Sequence, residues 1–344
     1  MNFAQYVKQI AREPGTARDL SEEDAHDLFC AMLDGGVPDL ELAALLVALR
    51  FKGESLGELL GFHRAASERL YRLHAPDTQR RPLVIPAYGG ARSEHNLLPL
   101  LGLLLRRLGV PVLFHGTLEG SGRVASVYIL RQLGVMPSAT LAQAQAALEE
   151  DNIAFLPMAA LCPGMANLLA LRNRLGVRNS AHVVAKLIDP FAGEGVLLAS
   201  SSSPPMLDRF AAFFAATGMS ALLLASTEGE PFANPRQRPR MELIDEGDQQ
   251  ILFDEEAHAV KPVAGLPPSI EAQPTAAWIQ QALAGETPIP HPLVNQLACC
   301  LYASGYTEDM NQAKAIAAVE AGSLGPVGRR RVSAGRAARV APRH

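Results

Sequence analysis

The chain has 344 residues, a length that suggests one large domain or two moderate ones. Apolar residues make up 48% of the chain and charged residues 19%, a balance that excludes an intrinsically disordered protein. We see no apolar run that reaches the roughly 18 residues of a membrane span and no apolar core of a signal peptide, so we expect a cytoplasmic protein with no membrane association.

The formal net charge of −4 combines an acidic body with a basic end. Residues 329–344 hold six of the 31 basic residues and none of the 35 acidic ones, which leaves 25 against 35, or −10, for the rest of the chain. A basic segment rich in Gly, Ala and Pro behind an acidic body is typical of a disordered arm. We expect residues 323–344 to form such an arm, which would attract polyanions.

Four cysteines are present, and no two have the spacing of a metal-binding or redox pair. Cys299 and Cys300 are adjacent, which is poor geometry for a disulfide. We therefore expect Cys30, Cys162, Cys299 and Cys300 to be reduced, and we expect no metal site.

Residues 1–72 are predicted to form a small helical unit. Ser21, with Asp24 three residues later, is typical of a helix start, and Ser55 opens a later helix. Between them the apolar stretch Leu40–Phe51 has helical spacing. So small a unit leaves apolar surface uncovered, so we expect a homodimer in which this stretch meets its copy.

From residue 82 onward, short apolar strands alternate with helices. Five strands are predicted: Pro82–Pro86, Val110–Phe114, Ile153–Pro157, Val196–Ser200 and Ala221–Ala225. This alternation indicates an α/β fold with a mainly parallel central sheet covered on both faces, which we assign to residues 80–322.

The rest of the α/β domain is less regular. Residues 227–275 are rich in Pro and charge and are predicted to be irregular loops with short strands, and helix returns from Thr275 to about Ala321. Ligands of parallel sheets lie at the carboxyl ends of the strands. This rule directs attention to Gly89-Gly90, His115-Gly116 and the loop after Ala225.

The stretch from Asp19 to Phe62 resembles the small helical domain of anthranilate phosphoribosyltransferases and their nucleoside phosphorylase relatives. The resemblance is carried by the sequence ALRFKGE at 48–54, after an amphipathic helix, and it continues to about residue 320. It implies a helical domain at 1–72 with a returning segment near 165–188, joined to an α/β glycosyltransferase-like domain.

The family's glycine loop, which wraps the pyrophosphate of phosphoribosyl pyrophosphate, is altered here. Gly89 and Gly90 remain, but Ala91 stands at the acidic position. The family's Asn-Ile-Ser-Thr helix start keeps Asn96 and loses both hydroxyls. Backbone and hydroxyl donors at a helix start bind phosphate, so their loss weakens the site.

The family's charged groups for pyrophosphate and magnesium are also replaced. Phe114 stands where the family has lysine, before His115 and Gly116, and Pro231-Phe232 align with the acidic pair for magnesium. Transfer from such a donor depends on charge stabilisation of the departing pyrophosphate. We therefore expect no catalytic residue, metal or cofactor, only a vestigial substrate loop made of Gly89, Gly90, Asn96, His115 and Gly116.

The pattern Pro-x-Tyr-x-Gly-Ala-Arg at 86–92 is similar to the YbiB-type branch of this family. That resemblance implies a homodimer that binds nucleic acid through a positively charged groove. Backbone contacts would predominate, because no zinc-finger or RRM signature is present, so DNA or RNA would be bound without sequence preference. The candidate contacts are Arg92, Arg172, Arg174, Arg178, Lys186, Arg236, Arg238, Arg240, Arg329, Arg330 and Arg331. The alternative is a divergent glycosyltransferase or phosphoribosyltransferase with an unknown acceptor.

Overall fold

The computed structural model describes residues 2–12, 16–256 and 265–322. The predicted basic arm, with Arg329, Arg330 and Arg331, lies outside the described residues. No helix within the described ranges is both long enough and apolar enough to cross a membrane.

The N-terminal part of the chain is helical, as predicted. Its helices are α1 (Phe3–Ile10), α2 (Glu22–Leu33), α3 (Asp39–Lys52) and α4 (Leu56–Ser67). The Ser21 hydroxyl accepts the Asp24 N–H at the start of α2, and Ser55 forms a capping box with Glu58 at the start of α4. α2 and α4 pack so closely that a Cβ on Gly61 would lie only 2.3 Å from the Glu22 carbonyl oxygen.

Two large apolar side chains at the ends of α3 lie open to solvent. Leu40 and Phe51 are each 81% exposed, more than any other large apolar side chain of the described residues. The homodimer through this helix stays a prediction. We expect light scattering to give a dimer at micromolar concentration, and Leu40→Ser with Phe51→Ser to give a monomer. Val319→Ser, at an exposed apolar position on another helix, is the control that should remain dimeric; a monomeric unaltered chain would contradict the prediction.

The α/β part is built on a seven-stranded sheet of order β3-β2-β1-β4-β5-β6-β7. Its strands are β1 (Leu83–Ala87), β2 (Val112–Gly116), β3 (Ile153–Pro157), β4 (Val196–Ser201), β5 (Ala221–Ala225), β6 (Met241–Asp245) and β7 (Asp248–Phe253). β1 to β5 are parallel, and the hairpin β6–β7 adds two antiparallel strands at one edge. The α/β fold with a mainly parallel sheet is thus confirmed.

Helices cover both faces of the sheet. They are α5 (Leu98–Arg107), α6 (Ser126–Gln132), α7 (Leu141–Asp151), α8 (Met158–Leu161), α9 (Pro163–Ala170), α10 (Arg172–Leu175), α11 (Ala181–Val184), α12 (Pro204–Thr217), α13 (Ala272–Leu283), α14 (His291–Ala303) and α15 (Met310–Glu320). Alternate residues of β1 point to the two opposite faces of the sheet. Leu83 and Ile85 pack in one core, with α5, α6 and α13–α15. Val84 packs in the other core, with α7–α9, α12 and the N-terminal helices.

The four cysteines are free, in agreement with the expectation of reduced thiols. Cys162, Cys299 and Cys300 are buried, and Cys30 is half-buried.

Candidate functional site

The glycine loop follows β1 at the carboxyl edge of the sheet, and a glutamate side chain occupies its backbone donors. The N–H groups of Gly89 and Gly90 both donate to Oε1 of Glu230, at 2.7 and 2.5 Å. The approach is so close that a Cβ on Gly89 would lie 2.7 Å from the backbone of Gly229. A carboxylate of the chain itself therefore holds the donors that such a loop would offer to a phosphate.

A second glutamate closes the next turn of the same loop. Carboxylate oxygens of Glu228 accept the N–H groups of Arg92, Ser93 and Glu94 at 2.6–3.2 Å. Partial burial would raise the pKa of Glu228, but these backbone donors hold it below its ordinary value. Burial raises the pKa of Glu230, although backbone donors and nearby cations oppose the rise.

These contacts decide whether the loop suits a magnesium ion. A hard cation needs several free, well-placed oxygens. The two positions that hold the magnesium-binding acids in the family are occupied here by Pro231 and Phe232. The nearby carboxylates of Glu228 and Glu230 already accept five backbone N–H groups. The residues present therefore do not fit a magnesium–pyrophosphate site.

The other residues of the predicted vestigial loop, Asn96, His115 and Gly116, are buried. The Asn96 amide donates to the Ser126 hydroxyl at 2.9 Å. His115 Nδ1 lies 2.8 Å from the Tyr88 hydroxyl, and its Nε2 has no hydrogen-bond partner among the described residues. Burial lowers the pKa of His115 to about 3, so the ring is neutral near pH 7 and is poorly matched to acid–base catalysis.

A first cavity, of about 310 Å³, opens at the carboxyl ends of β2 and β3. Its lining includes Tyr88, the loop 116–121, Met158 and Leu169, which give it a largely apolar wall. Arg172 from α10 adds a cation to this wall. The cavity is large enough for a small planar ligand.

Six cations, which we call the cleft cations, lie around this edge of the sheet. They are Arg50, Arg92, Arg123, Arg172, Arg178 and Lys186. None of them lies within 4.0 Å of a carboxylate among the residues that the structure describes. Six cations without a nearby carboxylate are thus grouped around one edge of the sheet.

Two of the cleft cations are held in poorly solvated positions. Burial, with repulsion from Arg172 and Arg123, lowers the pKa of Arg178 to about 10. Burial and the charge of Arg178 lower the pKa of Lys186 to about 8. Such mutual repulsion is typical of sites that receive an anion.

The other predicted contacts that the structure describes are already paired with acids. Arg236 lies 3.3 Å from Glu94, Arg238 lies 3.6 Å from Glu256, and Arg240 pairs with Glu242. Arg174 approaches Asp39 at 3.7 Å on the side of α3. The structure therefore brings Arg92, Arg172, Arg178 and Lys186 to the cleft and gives the other four local partners.

Two cleft cations, Arg50 and Arg123, were not predicted from the sequence. Arg50, at the end of α3, reaches this edge through the packing of the helical unit. Arg123 reaches it because its loop lies against the glycine loop, where Val124 pairs with Ala91. Arg123 donates to the carbonyl oxygens of Gly90 and Glu228 at 3.3 and 3.1 Å.

Comparison with known proteins identifies the relatives of this chain. Residues 4–69 match the helical bundle domain of a glycosyl transferase family. The chain is 44% identical over 306 residues to the protein YbiB of Escherichia coli (strain K12), covering 89% of this chain and 95% of YbiB. It is 30% identical over 290 residues to the anthranilate phosphoribosyltransferase of Methanopyrus kandleri, covering 81% and 84%.

The solved structures agree on the fold. The anthranilate phosphoribosyltransferase of Thermus thermophilus superposes with a TM-score of 0.74 at 24% identity, covering 93% of this chain and 94% of the other. The Saccharomyces cerevisiae enzyme in complex with PRPP and Mg superposes with a TM-score of 0.70 at 14% identity, covering 93% of each chain.

Proposed function

Because the chain belongs to the anthranilate phosphoribosyltransferase family of glycosyltransferases, we propose that it uses the fold of that family to bind DNA or RNA without sequence preference. The observation that carries the proposal is the set of cleft cations, none of which lies within 4.0 Å of a carboxylate among the described residues. Phosphates neutralise such charges and release counterions, and this gives affinity that does not depend on base sequence.

The state of the glycine loop supports a change from catalysis to binding. Glu230 and Glu228 accept the backbone donors of the loop, so a pyrophosphate would have to displace two carboxylates of the same sign. Without that donor site the main electrostatic contribution to glycosyl transfer is absent. The cations around the loop then remain free for a longer polyanion.

A comparison of two charge-matched variants tests the proposal. In the first, Arg50, Arg92 and Arg172 become Gln; in the second, Arg236, Arg238 and Arg240 become Gln. We expect the first variant to bind random single strands at least tenfold more weakly at low salt, and its slope of log affinity against log salt to flatten by about 2, since each single-strand phosphate contributes about 0.7.

The second variant should lose less affinity for the strands, because local acids already offset the charges of Arg236, Arg238 and Arg240 in the unaltered chain. Fluorescence anisotropy at two salt concentrations gives both quantities. Equal losses in the two variants, or no loss in either, would contradict the assignment of the cleft.

A divergent glycosyltransferase is the second candidate, and the first cavity is the observation that favours it. It places Arg172 and Asn173 among apolar residues at the strand ends. Calorimetry with phosphoribosyl pyrophosphate and magnesium separates the candidates. We expect no micromolar binding, whereas binding followed by turnover would favour the transferase.

A further inference from the structure

A second cavity, of about 290 Å³, lies at the carboxyl ends of β4 and β5. Its wall combines the end of α3, the segment 178–186, the serine-rich turn 200–203, and Ser226 and Gly229 of the loop after β5. Three cations reach it, namely Arg50, Arg178 and Lys186, and no carboxylate of the described residues lines it.

The ammonium of Lys186 is fixed at the wall of this cavity. It donates to the carbonyl oxygens of Ser200 and Gly229 at 3.0 and 3.2 Å, which leaves one of its three protons without an acceptor among the described residues. Arg178 donates through one Nη to the carbonyl of Tyr88, and its guanidinium lies over Gly229. Both cations are therefore anchored on neutral carbonyls instead of on acids.

A hydroxyl in the same wall also lacks a partner. Ser226 Oγ is buried and makes no hydrogen bond with any described residue. Buried hydroxyls are normally satisfied, so this one indicates a missing acceptor or donor. The first turn of α12 cannot supply backbone donors from Pro204 and Pro205, since proline has no N–H. The donors of the cavity are thus mainly side chains.

We propose that the second cavity binds a phosphate monoester, through the side chains of Arg50, Arg178, Lys186 and Ser226. Three cations in a cavity wall that contains no carboxylate of the described residues suit a dianion better than the single charge of an internal phosphodiester. A monoester also carries one substituent instead of two, so it enters a walled cavity more readily. The source of this monoester is the phosphorylated end of a nucleic-acid strand, an assignment that rests on the proposed function.

The charge of Lys186 gives the site a pH dependence. The charged or titratable groups around its ammonium are Arg178, Arg50, His182 and Glu230. Burial and the neighbouring cations lower the pKa of His182 to about 3, so His182 stays neutral. Lys186 loses its proton near pH 8, because its pKa is lowered to about 8, while a monoester stays a dianion above about pH 6. Affinity for the monoester should therefore fall about tenfold between pH 7 and pH 9.

The experiment compares one oligonucleotide with a 5′-phosphate, a 3′-phosphate or hydroxyl ends, and titrates inorganic phosphate and ribose 5-phosphate by calorimetry. We expect one phosphorylated end to bind at least tenfold more tightly than the hydroxyl-ended strand, and inorganic phosphate to compete for that difference. Lys186→Met should bring the ratio of the two affinities, phosphorylated end over hydroxyl end, to about one, whatever its effect on the hydroxyl-ended strand. Lys8→Met, which removes an exposed lysine of α1, should leave the ratio unchanged.

The outcomes separate this proposal from the proposed function. Strands that bind equally whatever their ends, with no binding of inorganic phosphate, overturn the monoester site and leave nucleic-acid binding intact. Binding of inorganic phosphate or ribose 5-phosphate that is lost in Lys186→Met, with no strand bound, supports the monoester site with a small ester as its source and overturns the proposed function.

Discussion

Replacement of Glu230 by Ala is expected to lower the free energy of unfolding by about 3–5 kcal/mol. The substitution leaves the buried N–H groups of Gly89 and Gly90 without an acceptor. It also removes the carboxylate whose charge acts on Lys186 and Arg178. Urea unfolding near neutral pH measures the change.

Two further variants show which contact matters. Glu230→Gln keeps an acceptor oxygen and should cost less than Glu230→Ala. Glu228→Ala removes the acceptor of three N–H groups, but their turn is largely exposed and water can replace the carboxylate, so the variant should cost only about 1 kcal/mol. A Glu230→Ala variant whose free energy of unfolding lies within about 1 kcal/mol of the unaltered chain would contradict the view that this carboxylate holds the loop closed.

Lys186→Met is expected to stabilise the protein, by about 1–2 kcal/mol near neutral pH. Burial is the main reason that the pKa of Lys186 falls to about 8, so the folded state disfavours the charged amine. The free energy gained by removing the buried charge exceeds the free energy lost with the two hydrogen bonds to the carbonyl oxygens of Ser200 and Gly229. A residue kept at such a cost to stability is expected where binding needs its charge.

The pH dependence has a definite sign. Between about pH 8 and pH 10.5 the unfolded chain still holds the Lys186 proton and the folded chain has released it, so stability of the unaltered chain rises with pH in that window. The advantage of Lys186→Met should therefore shrink as pH rises. A variant less stable than the unaltered chain at neutral pH would contradict the account.

The strands of the parallel sheet were predictable because each is a short apolar run bounded by turn residues. β2 and β3 are buried at every position, as expected of a sheet covered on both faces. β6 and β7 could not be placed within the irregular segment. Four of the six residues of β7 are exposed, so the strand has no apolar pattern to mark it.

The site was harder to predict because its contacts join distant parts of the chain. Glu228 and Glu230 lie next to Pro231 and Phe232 in the sequence, which does not show what their carboxylates contact. In the structure, Glu230 accepts hydrogen bonds from a loop about 140 residues earlier. Arg92, Arg172, Arg178 and Lys186 were predicted from the sequence as nucleic-acid contacts. Which arginines have acidic partners depends on side-chain neighbours that no local pattern contains.

The central claim is that the cleft cations bind nucleic acid through its phosphates, and a salt titration of the full chain with random-sequence DNA and RNA strands tests it most directly. If about six phosphates are neutralised, the slope of log affinity against log salt should be about −4 to −5, with similar affinity for unrelated sequences. No detectable binding at micromolar protein in low salt would contradict the claim.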